Sequence, residues 1–396
     1  MERDTNRSRG AFSVLLRVVV CAILVAIVIG KVQWDDRVYA HDGTEWTVVS
    51  ANGESLQVAR GGETVRRGRD EVGDVRPGLL SIVRATQWGL GGAALLCALP
   101  IPLVAAARWR AILRAMDVSA PSNVITRVTL QHYLVNLVAL GTAGGDMYRA
   151  AMLRADSRGW SRVLASLLVD RVAGLGAMAG VAVVGSVGLL GHPALGGIAT
   201  VALVICVAAV VMGAVAVRIL RSPWLASRGM ESSRARASRE KVGRWKGRVG
   251  GWLDGVRGSV LRLTDALRRI SGDRRALVRI ALLSLAGHGL LVAALWLEAT
   301  ALGLEHAFAA AVVVVPAAAA VALFTPTPQG MGAFEWGLVA LLAPYETGGA
   351  NRCLALAVGF RLITLCWTLP ALAVWLSPGG RRRKGVTHEP VTAVQR

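Results

Sequence analysis

"VAGLGAMAGVAVVGSVGLLGHPALGGIATVALVICVAAVVMGAVAV", residues 172 to 217, contains no Asp, Glu, Lys or Arg. Only "GHPALGG" at 191 to 197 interrupts it. A bilayer core of about 30 Å needs about 20 helical residues, so the stretch has room for two spans joined by a tight turn. The 396-residue chain is 54% hydrophobic, which fits an integral membrane protein and excludes an ordinary soluble one. Further spans are expected at 11–30, about 85–107, 279–302 and 353–376, and the first is too long and apolar for a cleaved signal peptide. All five cysteines lie inside apolar stretches and read as packing residues, with no disulfide framework or zinc pattern.

The formal charge of +20 is placed where a membrane protein needs it. Between Arg218 and Arg279 there are 17 Lys or Arg against 5 Asp or Glu, which marks a cytoplasmic loop facing anionic lipid rather than a nucleic-acid surface. The N-terminus "MERDTNRSRG" and the tail "GGRRRKG" at 379–385 are basic and belong on the same side. If 123–141 crossed fully, Arg149, Arg154, Arg158 and Arg162 would face outward. A re-entrant hairpin over 123 to about 155, turning at "GTAGGD", removes that conflict. The same count makes 307–343 a hairpin entering from the outer side. The expected fold is all-α and polytopic: about six transmembrane helices plus two re-entrant hairpins in an inverted-repeat-like arrangement. Residues 1–30 form the cytoplasmic N-terminus and first span, 31–80 a small β-rich extracytoplasmic insert, 81–376 the transmembrane domain and 377–396 a basic cytoplasmic tail. In the insert, "WTVVSANGESLQVA" predicts two strands around an Asn-Gly turn. In the 218–278 loop, Leu253, Val256, Val260, Leu263, Leu267 and Ile270 predict a basic amphipathic helix. It lies on the inner leaflet or packs on the protein's own cytoplasmic face.

Charged residues inside apolar helices mark polar paths. Asp146 stands near a helix start, either as an N-cap or as a site residue. Arg149, one turn in, opposes the helix dipole, which makes sense if an anion is held there. Asp170 and Arg171 in "LLVDRVAGL" lie either two turns into a span or near the interface. Arg361 in "LAVGFRLITL" has no adjacent acid, and Glu335 is its candidate partner. Glu298 falls near the outer end of its span, and His288 reads as a hydrogen-bonded packing residue. In "FTPTPQGMGAFEWGLVALL", residues 324–342, Pro326 and Pro328 end one helix while Gly330 and Gly332 permit a tight turn into the next, starting near Ala333. The freed amides there form an anion site, and Glu335 either compensates the dipole or pairs with a cation.

These residues carry a resemblance to a known family. "GGDMYRAAMLRADSRGWSRVLASLLVDRVAGL", "TPTPQGMGAFEWGLVALL" and "ALAVGFRLITLCWTLPAL" resemble the flippase-like membrane domain of bacterial lysylphosphatidylglycerol synthetases and their stand-alone relatives. The family's Gly-acid-x-x-Arg motif is matched by Gly145, Asp146 and Arg149, and its acid-Arg-Val by Asp170, Arg171 and Val172. Its Pro-x-Pro-Gly-Gly-x-Gly-x-x-Glu is matched by Pro326, Pro328, Gly330, Gly332 and Glu335, with Gln329 in place of the first glycine. Its aromatic-Arg pair is matched by Phe360 and Arg361. The resemblance covers roughly 85–376 and implies binding or translocation of a lipid with a polar, phosphate-bearing head. It implies no cofactor, and no lipid synthesis without the aminoacyl-transferase domain of the bifunctional members. A phospholipid or a polyprenyl-phosphate lipid is the expected partner, and the cytoplasmic (inner) membrane the expected location. Two other readings are a polyprenyl-phosphate-dependent glycosyltransferase using the acids of "WDDR" at 34–37, and a non-transporting membrane scaffold.

Overall fold

The computed structural model describes residues 32–40, 44–52, 55–68, 71–138, 143–153, 157–204, 207, 266, 268–270, 272–323, 330–347 and 349–376. The span expected at 11–30, Pro326 and Pro328, nearly all of the basic loop and the tail lie outside the described residues.

Five strands come first: β1 Arg37–Ala40, β2 Glu45–Asn52, β3 Ser55–Arg60, β4 Glu63–Gly68 and β5 Val72–Arg76. They form one antiparallel sheet in the order β4-β3-β2-β1-β5. Only β2 and β3 were expected from the sequence, and Asn52 belongs to β2, opposite Ser55, rather than to the turn. Val38, Leu56, Val58 and Val72 make a small core on one face. Gly61 and Gly62, at φ 60° and 94°, allow the two-residue turn between β3 and β4.

The helices that follow are α1 Leu79–Ala85, α2 Trp88–Ala98, α3 Ile101–Ala115, α4 Ser122–Val138, α5 Ala143–Leu153, α6 Ser157–Leu189 and α7 Arg274–Ala301. Then α8 runs from Ala307–Ala309 through a π-helical turn at Ala310–Val314 into Val315–Leu323. The last are α9 Ala333–Leu342, α10 Gly349–Cys366 and α11 Thr368–Leu376. The wide turn precedes Pro316, which has no N–H to continue the α-helical ladder.

Among the described residues four helical stretches are long and apolar enough to cross a membrane: Trp88–Ala115, Trp160–Leu189, Arg274–Ala301 and Gly349–Leu376. The protein is therefore an all-α multi-pass membrane protein carrying a small sheet. Leu96, Val184, Leu282 and Leu362 are exposed on its flanks, as lipid contact requires. All four spans run further into charged flanks than the apolar runs show: 85–107 reaches Ala115, 172 moves back to Trp160, 279 to Arg274 and 353 to Gly349.

Buried Ala310, Val313, Val314 and Ala318 of α8 form the central core with Leu295, Leu338, Leu342 and Leu356. The bundle has two distinct ends. At the sheet end, the Gln87 N–H donates to Ala301 O (2.9 Å), and Asn351 Nδ2 donates to Gln33 O and Pro77 O (3.1 and 2.9 Å). At the arginine end, Ile112, Met116, Ile270 and Ile280 pack together. The last turn of the expected amphipathic helix, with Ala266 and Ile270 buried there, packs on the protein itself.

Two helix pairs, α4 with α5 and α8 with α9, each begin and end on one side of the bundle. Leu113, Ile125 and Val163 gather with Met152 and Leu153, so α4 leaves from and α5 returns to the arginine end. The Glu346 carboxylate accepts the Glu305 and His306 backbone N–H groups (2.9 Å each), so α8 and α9 begin and end at the sheet end.

Candidate functional site

Five charged residues from three helices meet at the start of α5. Asp146 lies inside the first turn rather than at the N-cap position. Its carboxylate pairs with Arg149 one turn on and accepts from Arg171 Nε at 2.5 Å. Asp170 accepts from Arg149 Nη1 (3.1 Å) and from Arg108 Nε (2.7 Å). Three arginines against two aspartates leave one surplus positive charge. Arg149 and Asp170 are each 4% exposed, so the pairs form a buried network, and Asp146 is a member of it rather than a simple cap.

The network is braced by packing. The Arg149 guanidinium lies 4.8 Å from the Trp109 ring, and fully buried Trp109 donates from Nε1 to Ser166 Oγ (3.1 Å). The Gly145 N–H donates to Asn136 Oδ1 (2.9 Å), and a Cβ at 145 would overlap both Asn136 and His132. That close approach is why glycine stands there. The anion expected beside Arg149 is supplied by the protein itself, as Asp146 and Asp170. Its Nε, buried, has no hydrogen-bond partner among the described residues.

A second, smaller cluster forms at the start of α9. Glu335 accepts the Gly332 N–H through Oε2 (2.6 Å) and Arg361 Nε through Oε1 (2.6 Å). It therefore compensates the helix start and pairs with a cation at once, where the sequence left these as alternatives. Of the amides expected to be free for an anion, that of Gly332 is occupied by Glu335. Arg361 also lies over Phe334 at 5.1 Å, and Phe334 stacks against Phe360 at 4.8 Å. Gly330 and Gly332 have φ of 68° and 88°, the left-handed region the turn requires.

The predicted residues thus fall into two groups: Gly145, Asp146, Arg149, Asp170 and Arg171 in one, Gly330, Gly332, Glu335 and Arg361 in the other. Sequence reading missed Arg108, Trp109 and Asn136. Arg108 sits in "RWRAILRAM", where a row of arginines looks like a flank, and only the helical phase relative to Asp170 singles it out. Asp36, weighed as a catalytic acid, accepts the Gly78 N–H at 2.6 Å and ties the sheet to α1. His288 Nδ1 lies 3.0 Å from Ser284 O, the packing role expected of it.

The family model described as "Lysylphosphatidylglycerol synthase TM region" matches residues 78–372. The chain belongs to this family. No curated protein matches it. The family region opens at the junction with α1 and takes in both charged clusters, while the whole sheet, 37–76, precedes it.

Proposed function

We propose that this protein binds a phosphate-bearing lipid headgroup between its two broken helix pairs and moves it across the membrane. The observation that carries this reading is the placing of an ionic cluster at the tip of each pair, with the pairs opening to opposite ends of the bundle. Opposed discontinuous helices with polar tips are how many transporters build a midplane site. At 1.5 Å per residue, the 11 residues of α5 reach about 17 Å and the 10 of α9 about 15 Å. Both are short of a bilayer core, which supports re-entrant hairpins over full crossings.

The surplus charge near Arg149 and Arg171 favours a phosphate, and the Glu335–Arg361 pair opens when the headgroup competes for Arg361. The arginine end is the cytoplasmic one, since Arg110, Arg114, Arg162, Arg274, Arg275 and Arg279 lie towards it. There a groove of about 690 Å³ lined by Arg274, Arg275, Val278, Arg279, Leu282 and Leu283 suits an anionic lipid of the inner leaflet, head on the arginines and chain on the apolar wall. The chain itself acts as a transporter without catalytic chemistry in this reading, in the cytoplasmic membrane with both termini inside.

The test uses phosphatidylethanolamine–phosphatidylglycerol vesicles containing phosphatidylglycerol with a headgroup fluorophore that an impermeant reductant bleaches. The wild-type protein is expected to expose the inner-leaflet label, and Glu335→Gln and Arg149→Ala to return exposure to the protein-free rate while remaining folded. Wild-type rates in both variants overturn the assignment.

A further inference from the structure

Glu298 stands apart among the buried carboxylates. Asp146, Asp170, Glu335 and Glu346 each accept hydrogen bonds from donors already named. Glu298, on α7 one turn inside the sheet end, is 7% exposed, and no donor among the described residues reaches its side chain. Its Oε2 is wholly enclosed. The carboxyl lies in a niche made by Gly359 of α10, where a Cβ would overlap Oε1 and sit 2.8 Å from Cδ.

The charged groups of the elements around it are engaged elsewhere. From α10, Arg361 holds Glu335 and Arg352 donates to Gly303 O (2.8 Å). From α3, Arg108 holds Asp170, while Arg110 and Arg114 lie towards the arginine end. From α6, Asp170 and Arg171 belong to the first cluster, and Arg162 lies towards the arginine end. α2 brings only Cys97, and the first half of α8 brings nothing titratable. On α7 itself, His288 is bonded to Ser284 O.

A carboxylate buried without a partner is strongly disfavoured as an anion, and intramembrane acids of this kind mark ion or proton paths. A hard metal cation takes about six to eight oxygen ligands, and no group of three or more His, Cys, Asp or Glu able to hold one occurs among the described residues. A proton needs one oxygen. We propose that Glu298 is a proton-binding site, loaded from the sheet end, through which a proton gradient drives lipid movement. Binding rests on the niche and the missing partner; the coupling rests on the transport reading above.

Infrared spectroscopy of the full chain in lipid tests the site. A protonated-carboxyl band that titrates with pH is expected in the wild type, absent in Glu298→Gln and shifted in Gly359→Ala, which displaces the acid without removing it. Spectra of Glu298→Gln identical to wild type at every pH overturn the site. Vesicles with a pH gradient, acidic on the sheet side, test the coupling. Label exposure is expected to rise several-fold in the wild type and to lose that dependence in Glu298→Gln while its ungraded rate persists. A gradient without effect on wild-type lipid movement overturns the coupling. If the wild type moves no lipid at all, the transport reading and the coupling fail together, and the infrared band alone decides the proton site.

Discussion

Asp170 and Arg171 are adjacent in sequence and do different work. Asp170 is 4% exposed and neutralises two arginines, whereas the Arg171 side chain is 30% exposed at the edge of the same network. Replacing Asp170 by Asn keeps its shape but leaves Arg108 and Arg149 beside one remaining carboxylate, Asp146. Breaking a buried pair from one side costs about 3–5 kcal/mol, so Asp170→Asn is expected to lower the stability of the protein in detergent by that order. Arg171→Gln removes a partly solvated partner and is expected to cost at most about 1 kcal/mol, while weakening binding of a phosphate-headgroup probe. Equal stability losses in the two variants, read from denaturant or thermal unfolding, contradict this division. Most of the cluster was readable because charges are scarce in apolar helices: the pairing of Glu335 with Arg361 follows from there being few other candidates. Glu298 was not, because three residues from a helix end looks like the edge of the membrane until the packing of Gly359 against it is known.

Among the elements, the turn into α9 depends most on particular residues. Gly330 has a left-handed backbone, and a Cβ there would come within 2.6 Å of Ala322 Cβ and 3.0 Å of Ala322 O on α8. Two costs add: about 1–2 kcal/mol for a side chain in that backbone region and a further penalty for forcing the helices apart. Gly330→Ala is therefore expected to destabilise by more than about 2 kcal/mol and to spoil the Gly332–Glu335 contact, halting lipid movement. Gly337→Ala is the control, since its Cβ would meet Ala318 at 3.4 Å, close to ordinary contact. A thermal shift no larger for Gly330→Ala than for Gly337→Ala contradicts the account. The glycine turn itself was visible as Gly330 and Gly332 in an apolar run. The π-turn before Pro316 was not, because a uniformly apolar "AAVVVVPAAAA" gives periodicity nothing to grip. In the sheet, β2 and β3 alternate and were found, whereas β4, "ETVRRG", has one apolar residue and gains its order only from pairing with β3.

Among the described residues, the small sheet is joined to the membrane bundle by hydrogen bonds at its margin. Asn351, 5% exposed at the start of α10, donates to Gln33 O and Pro77 O and accepts from the Gln33 N–H at 3.3 Å. It thus satisfies three backbone groups that flank the sheet on both sides. Asp36 adds a tie through the Gly78 N–H, the Leu79 N–H donates to Gln33 O (2.9 Å), and the Arg76 side chain covers Gly349. Leucine at 351 has similar volume but leaves the Gln33 N–H and Pro77 O unpaired, while Gln33 O keeps the Leu79 N–H (2.9 Å), at about 1–3 kcal/mol for each unpaired group that water does not reach. The sheet keeps its own pairings and core, so its undocking is a local event separable from unfolding of the bundle. Asn351→Leu is expected to raise amide hydrogen exchange at residues 33–36 and 76–79, and proteolysis between β5 and α1. Protection in Trp88–Ala115 and Arg274–Ala301 should stay unchanged. Label exposure in vesicles then separates two roles for the sheet: an unchanged rate makes it an independent attachment, and a reduced rate makes its docking part of the transport cycle. Exchange rising uniformly through the spans would mean that Asn351 holds the bundle together, contrary to the placement of its bonds at the margin.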